Sequence, residues 1–346
     1  MPTIVDVANR AGVAAITVSR VVNDSGPVSS KVRARVEKAI AELGYVPNSV
    51  ARSLRSKRTD TLALILTDMT NPFFTTIARG VEDAASDAGM MLFICNTDER
   101  DDDEQRYVRM VLQRQVDGLL LVPARAGAAA ITQCREQATP VVVLDRRLKE
   151  PVADVVRADS KGGASELGRL LVSLGHRSTA VLSGPRSVST ADDRVTGFLE
   201  ALAEAPQAQT PRVFRGEYTV ESGRAMARRA VASNPRPTAL FAANNFIALG
   251  ALQALDELKI RVPEDIAVVA FDDLPAAMVA FPFLTVAAQP AYEMGRRSVA
   301  VLLDRMAAGA AEEFREVVLP TQLVIRRSSG DALSERGAAG ASTDPA

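Results

Sequence analysis

From Thr61 onward the chain alternates short, wholly apolar runs with longer amphipathic stretches, and few folds accept that rhythm. The runs at 62–66, 91–94, 118–122 and 141–144 carry no polar side chain. Strands covered by helices on both faces need such runs, because neither face meets water. Between them lie 74–88, 101–115 and 128–137, each patterned as a helix with one apolar face. A second series follows, with strands near 154–158, 179–183, 238–242 and 266–271 and helices near 161–174, 191–204, 220–232 and 245–258. Strand–helix alternation of this length predicts two successive doubly wound α/β lobes. At 346 residues, 47% of them hydrophobic, the chain is long enough for two or three domains with cores of their own.

The first sixty residues read differently. Thr3 caps a helix whose third position is Asp6, and Ile4, Val7, Ala8 and Ala11 share one face before Gly12 breaks the pattern. A second helix carries Thr17 to Asn23 with Val18, Val21 and Val22 inward, and a third runs from its cap Ser29 to the stop at Gly44. This predicts an all-α helix-turn-helix headpiece ahead of the α/β body. In that motif the N-terminal residues of the second helix face base edges in the major groove. They are Ala15, Ile16, Thr17, Ser19 and Arg20: Arg20 can fork onto a guanine, and the two apolar residues can meet thymine methyls. Asn23, Ser29, Tyr45 and Asn48 are placed to bond phosphates, and Thr3 belongs to the same face. Charge agrees. Residues 1–60 hold ten basic and five acidic side chains, +5, so a chain of net charge −1 carries −6 elsewhere.

Residues 48–56 read as one more helix, too short to persist alone. Val50 and Leu54 share a face with no partner inside the chain, so a second copy across a dimer axis is expected to supply one. An apolar side chain beside Arg52 and Arg55 also suits a wedge into the minor groove, with Ala51 beside it. A homodimer on palindromic double-stranded DNA is therefore expected.

The runs 3–8, 11–13, 17–23, 44–48 and 51–54, in this order, resemble the headpiece and hinge helix of the lac repressor (LacI/GalR) family of bacterial transcription regulators. One departure stands out: that family usually opens its recognition helix with a serine-like cap, and this chain has Ala14. The resemblance implies a cytoplasmic repressor of a carbohydrate operon, a periplasmic-binding-protein-like body and a small-molecule effector.

Polar residues gather at the carboxyl ends of the strands, where open α/β sheets bind ligands. Asn71, Phe73 and Phe74 follow the first strand, Asp98 the second, and Asp145 with Arg146 the fourth. In the second series Arg194, Asn244, Phe246 and Asp272 hold such positions, with Asn71, Asn245 and Asp273 also read as helix caps. Carboxylates, amides and an arginine around aromatic rings suit a polyhydroxylated ligand, a sugar or sugar derivative rather than a purine. By the resemblance Arg194, Asn244, Asp272 and Gln289 match effector contacts, with Asp145, Phe73 and Phe74 beside them. Whether the effector relieves repression, the commoner arrangement, or acts as a co-repressor stays open at this level.

Family topology further implies crossovers near 160, 290 and 320. The expected domains are a head at 1–47, a hinge at 48–60 and a body at 61–327, followed by a disordered tail at 328–346. Within the body one lobe takes 61–159 and 291–319, the other 160–290 and 320–327.

Other functions find little support. His176, the only histidine, sits in a helix-to-strand turn away from the polar clusters, and no dinucleotide, phosphate-loop or metal-ligand spacing occurs. Neither catalysis nor a cofactor is expected. A sugar-binding transport protein would share the body, but the start lacks an export signal and the basic head argues against it. Cys95 and Cys134 lie in apolar segments and read as small buried hydrophobes.

Overall fold

The computed structural model describes residues 2–46, 58–124, 128–275, 278–279, 281–308 and 313–330. The chain divides into two compact units, Met1–Thr59 and Asp60–Ala346. Among the described residues no helix is long and apolar enough to cross a membrane.

The first unit packs α1 (Ile4–Ala11), α2 (Ala15–Val22) and α3 (Ser30–Leu43) around Val7, Val18 and Val36, all fully buried. Thr3 and Asp6 form a reciprocal capping box on α1, and Ser29 Oγ accepts from Val32 N at the start of α3. Gly12, at φ 63°, ends α1 in the left-handed conformation that turns the chain toward α2. Ala14 gives α2 no side-chain cap.

The second unit is built on two six-stranded sheets. Its strands are β1 (Thr61–Leu66), β2 (Met91–Asn96), β3 (Gly118–Leu121), β4 (Val141–Leu144), β5 (Asp154–Ala158) and β6 (Thr179–Ser183). Then come β7 (Arg212–Arg215), β8 (Ala239–Ala242), β9 (Ala267–Phe271), β10 (Thr285–Ala288), β11 (Glu316–Leu319) and β12 (Gln322–Val324). One sheet has the order β11-β5-β4-β3-β1-β2, all parallel; the other has β12-β10-β9-β8-β6-β7, with only β12 antiparallel. The orders superimpose strand for strand, so β1 to β5 correspond to β6 to β10. This is the two-lobed α/β class that the alternation of runs predicts. The chain crosses between sheets three times: after β5, after β10 at Gln289-Pro290, and after β11 at Pro320.

The helices, numbered on from α3, are α4 (Pro72–Asp87), α5 (Asp101–Gln113), α6 (Ala128–Glu136), α7 (Ser160–Ser173) and α8 (Ser189–Ala203). They continue with α9 (Val220–Val231), α10 (Asn245–Glu257) and α11 (Ala291–Ala308). Helix α11 returns to the first sheet and packs against α4 so closely that a Cβ on Gly80 would lie 2.1 Å from the Tyr292 carbonyl. Its Arg305 forms a buried ion pair with Asp154 on β5, at 2.7 and 2.9 Å.

Three expectations need correction. The run at 91–94 is not buried on both faces: β2 is the edge strand, with Met91 63%, Phe93 40% and Ile94 40% exposed. The body also continues past 327. Ser328 and Ser329 are fully buried in a short 3-10 turn, Ser328 Oγ donating to Val268 O and Thr285 N donating to Ser328 Oγ, so these two are folded where a disordered tail was expected to begin. Finally, Asn244 rather than Asn245 caps α10, and Asp273 pairs with Arg326 instead of capping a helix.

Glu104 turns inward from the first turn of α5, almost fully buried, and its carboxylate accepts from Ala124 N. Burial, the larger cause, raises its pKa from 4.5 to about 7 against that hydrogen bond. The folded chain therefore takes up a proton between those values. The associated stability is present below pH 4.5 and is lost as pH rises through 7, by at most about 3 kcal/mol. Glu104→Gln is expected to be more stable than the parent at pH 8, with the gap closing by pH 4. Denaturant unfolding across that range measures it, and parallel profiles would contradict it.

Candidate functional site

On the head, α2 exposes Ile16, at 58%, and Arg20 on its free side, with Thr17 half-buried between them. Ala15 packs partly against the head core, and so does Tyr45. Ser19 is only 9% exposed and is engaged by Asn23, whose Nδ2 donates to Ser19 O at 2.7 Å and Oγ at 3.2 Å. Asn23 itself is exposed. Thr3 and Ser29 are exposed, but their hydroxyls serve the helix caps described above. Arg10 and Arg33 are ion-paired to Glu42 and Asp24, whereas Arg20, Lys31 and Arg35 have no carboxylate partner among the described residues. Asn48, Val50, Ala51, Leu54 and Arg55 lie outside the described residues.

In the body, the carboxyl ends of both sheets face a cavity of 410 Å³. The first sheet contributes Asp68, Asn71, Phe73, Phe74, Asp98, Glu99, Asp145 and Arg146; the second contributes Thr190, Arg194, Glu217, Tyr218, Asn244 and Asp272. Asp145 and Asp272 occupy corresponding places, each directly after the fourth strand of its sheet. Both adopt left-handed backbone, φ 66° and 69°, and both amides are tied to the neighbouring strand, Asp145 N to Val156 O and Asp272 N to Ala287 O. Burial pushes both carboxyl pKa values up, opposed chiefly by the Arg194 guanidinium. The lobes thus present one buried carboxylate each to the same space.

Arg194 lies 3.9 Å over the Phe271 ring, donates to Ala243 O at 2.7 Å and stands 3.7 Å from Asp272 Oδ2. Arg146 is clamped by Glu99 and by the carbonyls of Pro123 and Ala124, so it shapes the cavity wall more than it offers free donors. Asn244 lines the cavity while its amide oxygen caps α10. Gln289 stands behind Asp272 and donates to it from Nε2, outside the cavity lining, and Phe246 does not reach the lining either. Tyr218 closes the wall from the end of β7, over Gly184, where a Cβ would lie 2.4 Å from its Cζ.

Thr190, Glu217 and Tyr218 escape the sequence reading. Strand β7 is a two-residue Val-Phe core between arginines, too short and too polar to register as a buried run; the polar Glu217-Tyr218-Thr219 cluster after it was the available signal.

The lobes also touch directly. Asn71 Nδ2 donates to Asn245 Oδ1 at 3.2 Å and Asn245 Nδ2 to Asn71 Oδ1 at 2.9 Å, a reciprocal amide pair buried beside the cavity. Elsewhere, Ser189 Oγ accepts from Arg147 N, and Asp193 pairs with the Arg147 guanidinium at 2.8 Å. Asp192 instead pairs with Arg215, so the two neighbouring aspartates serve different partners. His176 is 1% exposed and bonded to Thr238 Oγ1, outside the cavity lining. Both cysteines are buried and free, with the Cys134 thiol pushed up to about 12 by burial.

A helix-turn-helix head with an open recognition helix, on a body of two lobes around a polar cleft, defines the class of ligand-responsive DNA-binding regulators. The chain belongs to the LacI family of bacterial regulatory proteins. Residues 3–48 match the bacterial regulatory proteins of the lacI family, and residues 59–327 match the periplasmic binding proteins and sugar binding domain of LacI family. The ribose operon repressor of Halalkalibacterium halodurans is 34% identical, over 95% of this chain and 97% of its own. The transcriptional repressor PurR of Pectobacterium carotovorum is 35% identical, over 96% and 98%. Among solved structures, the lac repressor dimer bound to operator and the anti-inducer ONPF matches with a TM-score of 0.84 at 30% identity, over 95% and 99% of the two chains. The regulator CelR in complex with cellobiose matches with a TM-score of 0.72 at 34% identity, over 95% and 100%.

Proposed function

We propose that this chain is a homodimeric repressor of a carbohydrate operon, released from a two-fold symmetric DNA site by a sugar-like effector held between its lobes. The observation that carries this reading is the pair Asp145 and Asp272, mirrored across the cleft. A ligand hydrogen-bonded to both favours one lobe angle, because each carboxylate is fixed to its own sheet. The ribose operon repressor and the cellobiose complex of CelR support a sugar, and the lac repressor dimer on operator supports the assembly. A second copy would also cover the exposed apolar edge of β2, Met91, Phe93 and Ile94.

The lobe angle then sets the spacing of the two hinge segments and so of the two recognition helices. Effector and operator oppose each other reciprocally, with a coupling free energy of about 1–3 kcal/mol. DNA affinity measured with and without the sugar that raises the melting temperature tests this: weaker binding with ligand supports release, and tighter binding reverses the sign.

Base reading is assigned to Arg20. Arg20→Ala is expected to relax preference at one base pair per half-site, by about 1–3 kcal/mol. Selection from a random duplex library reads this out, and lower affinity with an unchanged consensus would remove the assignment.

A further inference from the structure

We infer that the effector of this chain carries no negative charge: the cleft takes a neutral or amino-substituted polyol and rejects phosphorylated and carboxylated ones. The inference rests on the polyol reading above and goes further, from the charge and hydrogen-bond inventory of the cavity.

Six carboxylates and two guanidiniums line the cavity, leaving it at −4 when all are ionised. The imbalance sits at the mouth. Asp68, Asp98 and Glu217 are the more accessible acids of the lining, and none of them has an ion pair among the described residues. Asp68 is held by Thr70, and Asp98 by Asn96, both neutral donors. A low-dielectric cleft ringed by one sign of charge focuses its field outward, so it concentrates cations and repels anions before they reach the interior.

Inside, both guanidiniums already have a carboxylate beside them and backbone carbonyls to bond, although Arg146 Nε, buried, has no hydrogen-bond partner. Arg146 answers Glu99 and two backbone carbonyls; Arg194 answers Ala243 O and lies beside Asp272. A phosphate or carboxylate brought here would shed its water and have to compete with Glu99 and Asp272 for these two guanidiniums, and a buried charge that is poorly paired is strongly disfavoured. The acceptors tell the same story. Asp145 Oδ1 is buried with no hydrogen-bond partner, and Asp272 beside it is bonded only from Gln289. When ionised these carboxylates only accept, so they call for hydroxyl or ammonium donors, which the charged group of a phosphorylated or carboxylated ligand does not supply. An ammonium additionally gains charge-assisted bonds.

The experiment uses the full chain and matched sets: glucose, glucosamine and glucose 6-phosphate; ribose and ribose 5-phosphate; galactose and galactose 6-phosphate. Melting temperature is followed first, then calorimetric affinity for the members that bind. The neutral or amino member of a set should bind, and its phosphorylated counterpart should bind at least tenfold more weakly and fail to displace it. The triple variant Asp68→Asn, Asp98→Asn, Glu217→Gln should narrow that gap by on the order of tenfold. Raising ionic strength should narrow it as well, since the mouth charges are open to screening. A phosphorylated sugar that binds as tightly as its neutral partner, and displaces it, overturns the inference while leaving the polyol reading intact. A nucleobase that raises the melting temperature where no polyol does overturns the polyol reading itself.

Discussion

Asp272→Ala is expected to lower effector affinity at least a hundredfold and to abolish the effector response of DNA binding, with unliganded DNA affinity unchanged within about twofold. Asp272 is buried at the base of the cavity, and its bond from Gln289 and its proximity to Arg194 hold it in place. A charge-assisted hydrogen bond is worth about 1.5–3 kcal/mol, and the substitution also frees Arg194 from its counter-charge. The recognition helix lies in the other unit, so the basal interaction with DNA has no part in the loss. Titrating labelled duplex with and without the effector measures both quantities. A variant with the full response would discard Asp272 as an effector ligand. Asp145→Asn should be milder in the same assay, because its amide keeps the shape and loses only the charge.

The second large effect concerns stability. Asp154→Ala should destabilise the body by about 3–5 kcal/mol, because Arg305 would remain buried without its counter-charge. Asp154 is fully buried on β5, accepts from Arg305 at 2.7 and 2.9 Å, and accepts from Arg315 N at 2.8 Å. It therefore ties the returning helix α11 to the sheet it rejoins after β10. The double replacement Asp154→Leu with Arg305→Met should recover much of the loss, since an apolar pair has no buried charge to compensate. Thermal unfolding of both variants tests this, and a single variant that melts with the parent would show the pair to be dispensable.

Much of this molecule is legible before any coordinate. The caps at Thr3 and Ser29 and the glycine stops at 12 and 44 are local, decided by residues within one turn of one another. The central strands β1, β3 and β4 are legible because burial on both faces demands unbroken apolar residues, and all three are fully buried. Polar residues at strand ends follow from the same periodicity and point to Asp145, Asn244 and Asp272, the family resemblance adds Arg194 on α8, and all four line one cavity.

What the sequence does not disclose is decided by strands and helices far apart in the chain. Whether an apolar run is central or at an edge depends on strand order, so Phe93 and Ile94 read as core and prove exposed. Which asparagine caps and which bridges depends on the approach of a second lobe: Asn244 caps α10, while Asn245 meets Asn71, 174 residues away. Glu104, one of four acidic residues in the first turn of α5, is buried and accepts from the Ala124 amide of another loop. Tyr218 enters the cavity because β7 pairs with β6, an association its own short segment does not announce. Local sequence determined the elements, the polar strand ends and the reading head, because caps, periodicity and turn residues act over a few positions. Tertiary structure decided the cavity wall, the lobe contacts and the charge of the mouth, because these exist only once two sheets, each assembled from distant segments, face each other.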